Sequence, residues 1–160
     1  MDKINNILQH TLYQQYMNAN AEKESERIYC RHNMSHVLDV ARIAYILNIK
    51  EGYGLSREMI YGAALLHDIG RHVQYETGEQ HAFASARLAE PILADCGYAE
   101  TEKKDIISAI YTHSDKDIVQ DRSLNGLLAR ADQLSRACYA CPAADQCNWS
   151  TERKNNTLQW

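Results

Sequence analysis

Apolar residues along most of the chain recur at the 3.6-residue period of an α-helix. In the segment 33–49, for example, Val37, Val40, Ala44 and Leu47 fall on one helical face. No segment of the sequence shows the apolar–polar alternation of a half-buried β-strand. The pattern predicts an all-α protein, with helices over 2–18, 33–49, 56–66, the stretch that contains His81, 101–113 and 123–138.

Residues that favour helix ends predict where several of these helices begin and stop. Ser56 is of the type that caps a helix N-terminus, and Gly70 is of the type that follows a helix C-terminus. Thr77 and Gln80 have the spacing of a capping box, which would open the next helix. Pro91 should end or kink that helix, because proline lacks the amide hydrogen that a helix interior needs.

The 160 residues contain no repeat and no Pro/Gly-rich linker, which predicts a single domain. We expect an N-terminal helix at 1–19, a core over about 28–138 and a cysteine-containing tail at 139–160. The polar stretch 18–27 is either a loop or the exposed start of the next helix. The segment 71–78 is expected to be a loop that contributes to specificity.

Composition and charge narrow the classes of function. The chain has 17 Lys and Arg against 21 Asp and Glu, a formal net charge of −4. This argues against nonspecific nucleic-acid binding, which needs a basic face. No apolar stretch approaches the ~20 residues of a membrane span, and the first residues lack the apolar segment of a signal peptide. We therefore expect a cytoplasmic protein, whose five cysteines are thiols or metal ligands rather than a disulfide framework.

The dipeptide His67-Asp68 follows the most apolar helical segment of the sequence. At a helix terminus both side chains can reach one ion that lies over the helix end. His36 and Asp132 would each add a ligand from a separate helix. Imidazole with carboxylate suits Mn, Fe, Co, Ni or Zn, with Mg as a further candidate. This ligand set leaves coordination positions open for water and substrate, as hydrolysis requires.

Three segments in this order resemble the HD-domain superfamily of metal-dependent phosphohydrolases: His36-Val37 followed by Val40, Ala63–Arg71, and Ala131-Asp132. The resemblance covers about residues 32–136. It implies a compact helical bundle of about six to seven helices with a five-helix core. It also implies that His36, His67, Asp68 and Asp132 are the metal ligands. Members of the superfamily hydrolyse phosphomonoesters, phosphodiesters or nucleotide polyphosphates, so the resemblance implies a small phosphorylated substrate, with a nucleotide favoured.

His81 and His113 raise the question of a second ion. Branches of the superfamily with a two-metal site carry two extra histidines between the His-Asp pair and the last Asp, and this chain resembles them. The symmetrically cleaving dinucleoside tetraphosphatases are one such branch. Two ions ~3.5–4 Å apart could hold both the attacking and the leaving oxygen. One ion and two ions both stay open at this point.

Four residues near the proposed ligands are candidates for catalysis or substrate binding. Asp68 would be both a ligand and the proton acceptor. Arg71 would contact substrate phosphate, although a partner for the helix dipole is the alternative. Lys116 would stabilise a leaving group, unless it is a solvated loop lysine. His32 lies one turn before His36 and would orient it or touch phosphate, with a surface role as the alternative.

The remaining motif is a C-x2-C-x5-C cluster formed by Cys138, Cys141 and Cys147. If Cys30 joins them, four thiols could bind zinc or an iron–sulfur cluster, and free thiols are the alternative. The main hypothesis is a phosphohydrolase. The competing hypothesis is a non-catalytic regulatory module that binds metal or nucleotide and uses the cysteines as a redox or metal switch.

Overall fold

The computed structural model describes residues 2–159, which contain eight α-helices, three short 3₁₀ turns and no β-strand. The all-α fold class is confirmed. The helices are α1 Lys3–Gln9, α2 Thr11–Lys23, α3 Met34–Glu51, α4 Arg57–Leu66, α5 Arg71–Thr77, α6 His81–Asp95, α7 Glu100–Thr112 and α8 Leu124–Leu134. The 3₁₀ turns are Asp117–Gln120, Cys138–Ala140 and Ala144–Gln146. None of the helices in this part of the chain is long and apolar enough to cross a membrane.

Helix α4 lies at the centre of the bundle, where it packs against α1, α3, α6, α7 and α8. From Gly62 to Leu66 every residue is buried, which explains why its sequence is apolar on all sides. Gly62 allows a close approach, because a Cβ there would lie 2.8 Å from the Tyr98 hydroxyl. The burial of α4 has a direct consequence for function, since the helix delivers the two residues that follow it to the interior of the protein.

The prediction of a single N-terminal helix at 1–19 is wrong. Helix α1 ends at Gln9, and His10 caps α2 by accepting a hydrogen bond from the Leu12 amide through its ring Nδ1, at 3.2 Å. Helix α2 then continues to Lys23, so the stretch 18–27, predicted as a loop or as the exposed start of the next helix, instead begins as the last part of α2. Asn20 and Glu24, which the sequence placed in an exposed stretch, are buried.

The end of α4 also differs from the prediction. Gly70 has φ −90°, so it does not adopt the left-handed conformation of a residue that ends a helix. It is small because α6 passes closely: a Cβ on Gly70 would lie 2.5 Å from the Ser85 amide nitrogen. The segment predicted as a loop at 71–78 forms α5. Gly78 is the C-cap of this helix and adopts the left-handed conformation, with φ +81°.

Other predicted helix ends have mixed outcomes. Ser56 is the N-cap of α4, as predicted, and its side chain accepts a hydrogen bond from the Met59 amide at 3.3 Å. The capping box is wrong, because the hydroxyl of Thr77 instead donates to the Val73 carbonyl inside α5. Pro91 does not end α6, which continues to Asp95. The last long helix ends at Leu134 and so stops short of the predicted 138.

Asn20 holds α2 against the segment that follows α4. Its Nδ2 donates to the Asp68 carbonyl at 2.9 Å, and its Oδ1 accepts from the His72 amide at 2.8 Å. The N-cap of α5 is Gly70, which has no side chain that could cap the helix. Asn20 therefore supplies, from another helix, the acceptor that the first turn of α5 needs.

Replacing this buried amide should destabilise the fold. We expect Asn20→Ala to lower the free energy of unfolding by about 1–3 kcal/mol, because the buried amide of Asn20 is lost and the partly buried His72 amide loses its acceptor. The matched control is Asn18→Ala on an exposed part of the same helix, which should change stability by less than ~0.5 kcal/mol. Urea denaturation of both variants measures the difference. Equal stabilities of the two variants would contradict this role of Asn20.

Candidate metal centre

His67 and Asp68 lie immediately after α4, and both are almost completely buried. The ring Nδ1 of His67 lies 2.7 Å from the Ala64 carbonyl, which can only accept, so Nδ1 carries the proton. When the ring is neutral, the other ring nitrogen, Nε2, therefore presents its lone pair to the interior. It lies 2.9 Å from Asp68 Oδ2.

His36 and Asp132 approach the same point from α3 and α8. His36 Nε2 lies 3.4 Å from Asp68 Oδ2 and 3.2 Å from Asp132 Oδ1. Ser135 orients the His36 ring: its hydroxyl donates to the Asp132 carbonyl at 2.7 Å, so its oxygen accepts from His36 Nδ1 at 3.2 Å. Both imidazoles thus have their Nδ1 atoms occupied by hydrogen bonds and their Nε2 atoms directed at the carboxylates, the usual arrangement of metal-binding histidines.

Four buried atoms at this point have no hydrogen-bond partner: His36 Nε2, His67 Nε2, Asp68 Oδ2 and Asp132 Oδ1. The ligand atoms of these four residues lie within 4.8 Å of one another. Buried polar atoms almost always have a partner, because an unpaired one costs about 1–3 kcal/mol. Four unpaired atoms that converge, all of them able to donate an electron pair, fit a bound cation. The chemistry of the donor set therefore fits a divalent metal ion.

The charges of the site also favour a bound cation. Burial would raise the pKa of Asp68, but the nearby Arg71 and the imidazole of His67 hold it well below its usual range. Asp132 has a similarly depressed pKa: burial opposes the shift, and the neighbouring imidazoles of His36 and His67, together with the charge of Arg136, cause it. The His67 ring shows the complementary shift. Burial would lower its pKa, but the charge of Asp68 and the proximity of the Asp132 carboxylate raise it to about 10. Without a metal, a proton on His67 neutralises part of the carboxylate charge.

A second group of ligand atoms shares Asp68. His81 begins α6, and His113 follows α7, as predicted. Their Nε2 atoms lie 3.1 Å apart, and they lie 3.5 Å and 3.7 Å from Asp68 Oδ1. The Nδ1 atom of His113 donates to the Ile110 carbonyl at 2.6 Å, and that of His81 lies 3.0 Å from Gln74 Oε1. Asp68 can therefore offer Oδ2 to the first group and Oδ1 to the second.

A sequence model of the HD domain matches residues 33–137, about two thirds of the chain. The chain belongs to the HD-domain superfamily of metal-dependent phosphohydrolases. The matched region contains both groups of ligands described above.

This HD-domain protein is similar to several known proteins, and the share of each relative's length that it covers differs widely. An uncharacterized protein of Clostridium beijerinckii is 43% identical over 155 residues, 97% of each chain. The putative phosphohydrolase YueE of Bacillus subtilis is 28% identical, with 78% of this chain and 77% of that protein covered. Ribonuclease Y 1 of Pediococcus pentosaceus is 30% identical over 109 residues, 68% of this chain but 19% of that enzyme.

The fold has a counterpart among solved structures. A predicted HD superfamily hydrolase from an uncultured Thermotogales bacterium superimposes with a TM-score of 0.65. The two sequences are 23% identical, and the match covers 91% of this chain and 80% of the other. At this identity the likeness supports the fold, and the residues of the site are argued from the geometry above.

The other residues proposed for the site of this HD-domain protein have different surroundings. Arg71 is partly buried, and its Nε donates to Asp68 Oδ1 at 2.9 Å. Lys116 is exposed on the rim of the cavity in front of the ligands. A surface role for His32 is wrong, because this residue is only 4% exposed. Its ring lies at the site, with Nε2 3.9 Å from Asp68 Oδ2.

Glu24 is the main site residue that the sequence reasoning missed. Its buried carboxylate bonds the ring Nδ1 of His32, accepts from the His32 amide at 2.8 Å, and accepts from the Tyr75 hydroxyl at 2.8 Å. Burial opposes ionisation, but these hydrogen bonds lower the pKa of Glu24 to about 2. Burial lowers the pKa of His32, so its ring is neutral, with Nδ1 donating to Glu24 and Nε2 free to accept. No local sequence pattern marks Glu24 as buried.

Four of the candidate ligands, His36, His81, His113 and Asp132, line a cavity of about 1140 Å³. Although the chain as a whole is acidic, six Lys and Arg residues line this cavity, against three Asp residues. One of the three is Asp132, which belongs to the ligand set. The positive lining favours an anionic occupant. All four cysteines of the predicted cluster, Cys30, Cys138, Cys141 and Cys147, line the same cavity.

The raised pKa of His67 predicts that metal binding displaces a proton. At pH 8 an ordinary histidine, with a pKa of about 6.5, is already neutral, whereas His67 still carries its proton. A metal ligand must be neutral imidazole, so we expect about one proton to be released for each Mn²⁺ that binds the first site. The affinity should consequently rise with pH up to about 10.

Isothermal titration calorimetry with Mn²⁺ in two buffers of different ionisation enthalpy measures this proton. The matched control is His72→Gln, which changes a histidine outside the ligand groups and should leave proton release intact. Binding of Mn²⁺ at pH 8 with no dependence on the buffer would show that His67 is already neutral.

Proposed function

We propose that this HD-domain protein is an enzyme that hydrolyses a small phosphorylated substrate, with a nucleotide favoured. The observation that carries the proposal is the convergence of four unpaired ligand atoms at the base of a positively lined cavity. A site built only to hold a structural ion has a closed set of ligands, whereas this one faces a cavity that can admit water and substrate. The name of the Bacillus subtilis relative, a putative phosphohydrolase, supports the same reaction class.

The ligand assignment is part of the proposal. His36, His67, Asp68 and Asp132 would hold a first divalent ion, and Asp68, His81 and His113 a second. Mn, Fe, Co, Ni and Zn suit these donors, with Mg as a further candidate. A bound ion would lower the pKa of the attacking water molecule. Burial lowers the pKa of His81 to about 3, despite the nearby Asp68 charge, so its ring is available as a neutral ligand at ordinary pH.

Substrate binding is proposed for the cations that face the ligands. Arg71 is held beside the centre by its hydrogen bond to Asp68 and still lines the cavity, so it can contact a phosphoryl oxygen. Lys116 at the rim would neutralise charge on a leaving group. The cavity of about 1140 Å³ is larger than a phosphate group needs, which favours a nucleotide. The ribonuclease Y relatives, which by their name act on RNA, support a nucleotide-containing substrate.

The proton acceptor we propose is His32. Asp68 would use one oxygen for each ligand group, which leaves it without a free oxygen for a proton. His32 has the geometry of a general base: the Glu24 carboxylate fixes its Nδ1 proton, and its neutral Nε2 lies on the cavity side, near Asp68. Its lowered pKa keeps the ring able to accept a proton at neutral pH.

An assay of the full chain against nucleotides, phosphomonoesters and phosphodiesters tests the reaction class. We expect turnover of at least one substrate with Mn, Fe, Co, Ni, Zn or Mg, and we expect Asp68→Ala to lose both bound metal and turnover. Asp105→Ala, an exposed aspartate on α7, is the matched control and should retain both. Undiminished metal and turnover in Asp68→Ala would defeat the assignment. Tight nucleotide binding without turnover under every metal would instead favour a regulatory module.

The role of His32 has a separate test. We expect His32→Gln to lower kcat by about 10²–10⁴-fold, because a general base is lost, while the metal content stays unchanged. The acidic limb of the pH–kcat profile should disappear in this variant. His72→Gln, which lies outside the cavity, is the control and should keep both kcat and the limb. A His32→Gln variant with the kcat and pH profile of the wild type would refute the assignment.

A further inference from the structure

Four of the five cysteines occupy one wall of the cavity, and the metal ligands of the proposed hydrolytic centre include none of them. Cys138 begins a 3₁₀ turn, and the amide of Cys141 donates back to the Cys138 carbonyl at 3.2 Å. Cys147 follows the next 3₁₀ turn. All four are partly buried and in the free thiol form. The fifth, Cys96, is buried at the end of α6, away from this wall.

Hydrogen bonds hold the segment of Cys30 beside the segment of the other three cysteines, although more than 100 residues separate them along the chain. On one side of Cys30, the Tyr29 hydroxyl donates to the carbonyl of Gln146, the residue before Cys147, at 3.3 Å. On the other side of Cys30, the carbonyl of Arg31 accepts a hydrogen bond from Arg136 at 3.3 Å. Arg136 lies two residues before Cys138. The neighbours of Cys30 are therefore bonded to the neighbours of both ends of the C-x2-C-x5-C segment.

The segment after the cysteines fixes this arrangement. Asn155 Nδ2 donates to the carbonyls of Gln133 and Arg136 at 2.7 Å and 2.8 Å. Lys154 donates to the Ala144 carbonyl, between two of the cysteines, at 2.7 Å. The chain thus folds back over the end of α8 and holds the cysteine turns against the cavity.

The distances between candidate ligand atoms help to distinguish a zinc ion from an iron–sulfur cluster, the two inorganic centres that four thiols can bind. A tetrahedral zinc ion with Zn–S bonds of ~2.3 Å draws its four sulfurs to within about 3.8 Å of one another. Among residues 2–159, the groups of three or more ligand atoms within 4.8 Å of one another are the two His/Asp groups, and no cysteine belongs to either. An iron–sulfur cluster places its own iron and sulfide atoms between the thiolates, so it needs sulfurs that line a common space at greater separation.

The charges on the same wall suit an anionic group. A cluster bound by four thiolates is negatively charged, and four cationic side chains line the cavity beside the cysteines: Arg27, Arg136, Arg153 and Lys154. Arg27 is directed there by a hydrogen bond from its Nε to the Cys30 carbonyl at 2.7 Å. The positive charges of these four side chains would offset the negative charge of the cluster.

We propose that Cys30, Cys138, Cys141 and Cys147 bind a [4Fe–4S] cluster in the wall of the cavity that they line. On assembly each thiol loses its proton and forms one iron–sulfur bond, so four protons leave and four bonds form. The iron and the sulfide come from outside the protein, and the bound cluster exchanges no electrons in this role. The cluster fixes the two segments that carry the cysteines, and so shapes the space in which a substrate binds.

Metal and sulfide analysis of the full chain, purified without oxygen, tests the proposal. We expect about four irons and four acid-labile sulfides per chain, with the broad visible absorption of a cluster. Because the His/Asp centre can also hold iron, sulfide is the decisive measurement, and Asp132→Ala should retain it. One zinc per chain without sulfide, or neither zinc nor sulfide after incubation of the reduced protein with iron and sulfide salts, would overturn the proposal.

Cysteine variants identify the ligands. Cys30→Ser and Cys141→Ser should each lose most of the sulfide, whereas Cys96→Ser, the matched control, should keep the wild-type content. Full sulfide in Cys30→Ser and Cys141→Ser would refute the ligand set. If Cys141→Ser does not fold, Cys30→Ser on the distant segment gives the same information, and the wild-type sulfide content decides the question independently. None of these readouts depends on hydrolytic activity, so the proposed function and the cluster can fail separately.

Discussion

The burial of two carboxylates beside two imidazoles is the constraint on which the rest of the structure depends. Asp68 is 1% exposed, and both its charge and that of Asp132 are retained, as their depressed pKa values indicate. Isolated buried charges cost several kcal/mol unless they are paired or coordinate a metal. In this HD-domain protein the compensation comes from Arg71, from the raised pKa of His67 and, in the proposed enzyme, from a divalent cation. The ligand geometry is therefore an electrostatic requirement of the fold.

Polar residues from outside the ligand groups make that burial possible. Asn20 binds the backbone of Asp68 and the start of α5, and Glu24 holds His32 beside the carboxylate. Ser135 joins the ring of His36 to the end of α8. The contacts of Asn20 and the contact between Ser135 and His36 link elements far apart in the chain, so the position of a ligand depends on the packing of at least two helices. Fold stability and site geometry are consequently coupled, and a variant of Asn20 or Ser135 can perturb chemistry without touching a ligand.

The spacing of apolar residues predicted those helices whose burial depends on their own sequence. The apolar character of α4 marked the helix whose C-terminal half is fully buried, and the proposed ligand positions followed from its end and from the superfamily resemblance. The break at His10, the helix α5 and the close packing of Gly70 against Ser85 depend on contacts between distant segments, which leave no periodic pattern. The same holds for Asn20 and Glu24. Polar residues normally indicate exposure, and these two are buried because their partners come from other elements.

Arg136 connects the two halves of the cavity physically. One of its terminal nitrogens lies 3.6 Å from Asp132 Oδ1, and the other donates to the carbonyl of Arg31, next to Cys30. The residue is 9% exposed, so solvent screens these interactions little. A shift in the cysteine-bearing wall must therefore move a guanidinium that faces a proposed metal ligand. If the cysteines hold a cluster, Arg136 is the residue through which its loss would alter the electrostatics of the hydrolytic centre. The tail then belongs to the substrate cavity as much as the helices that carry the ligands.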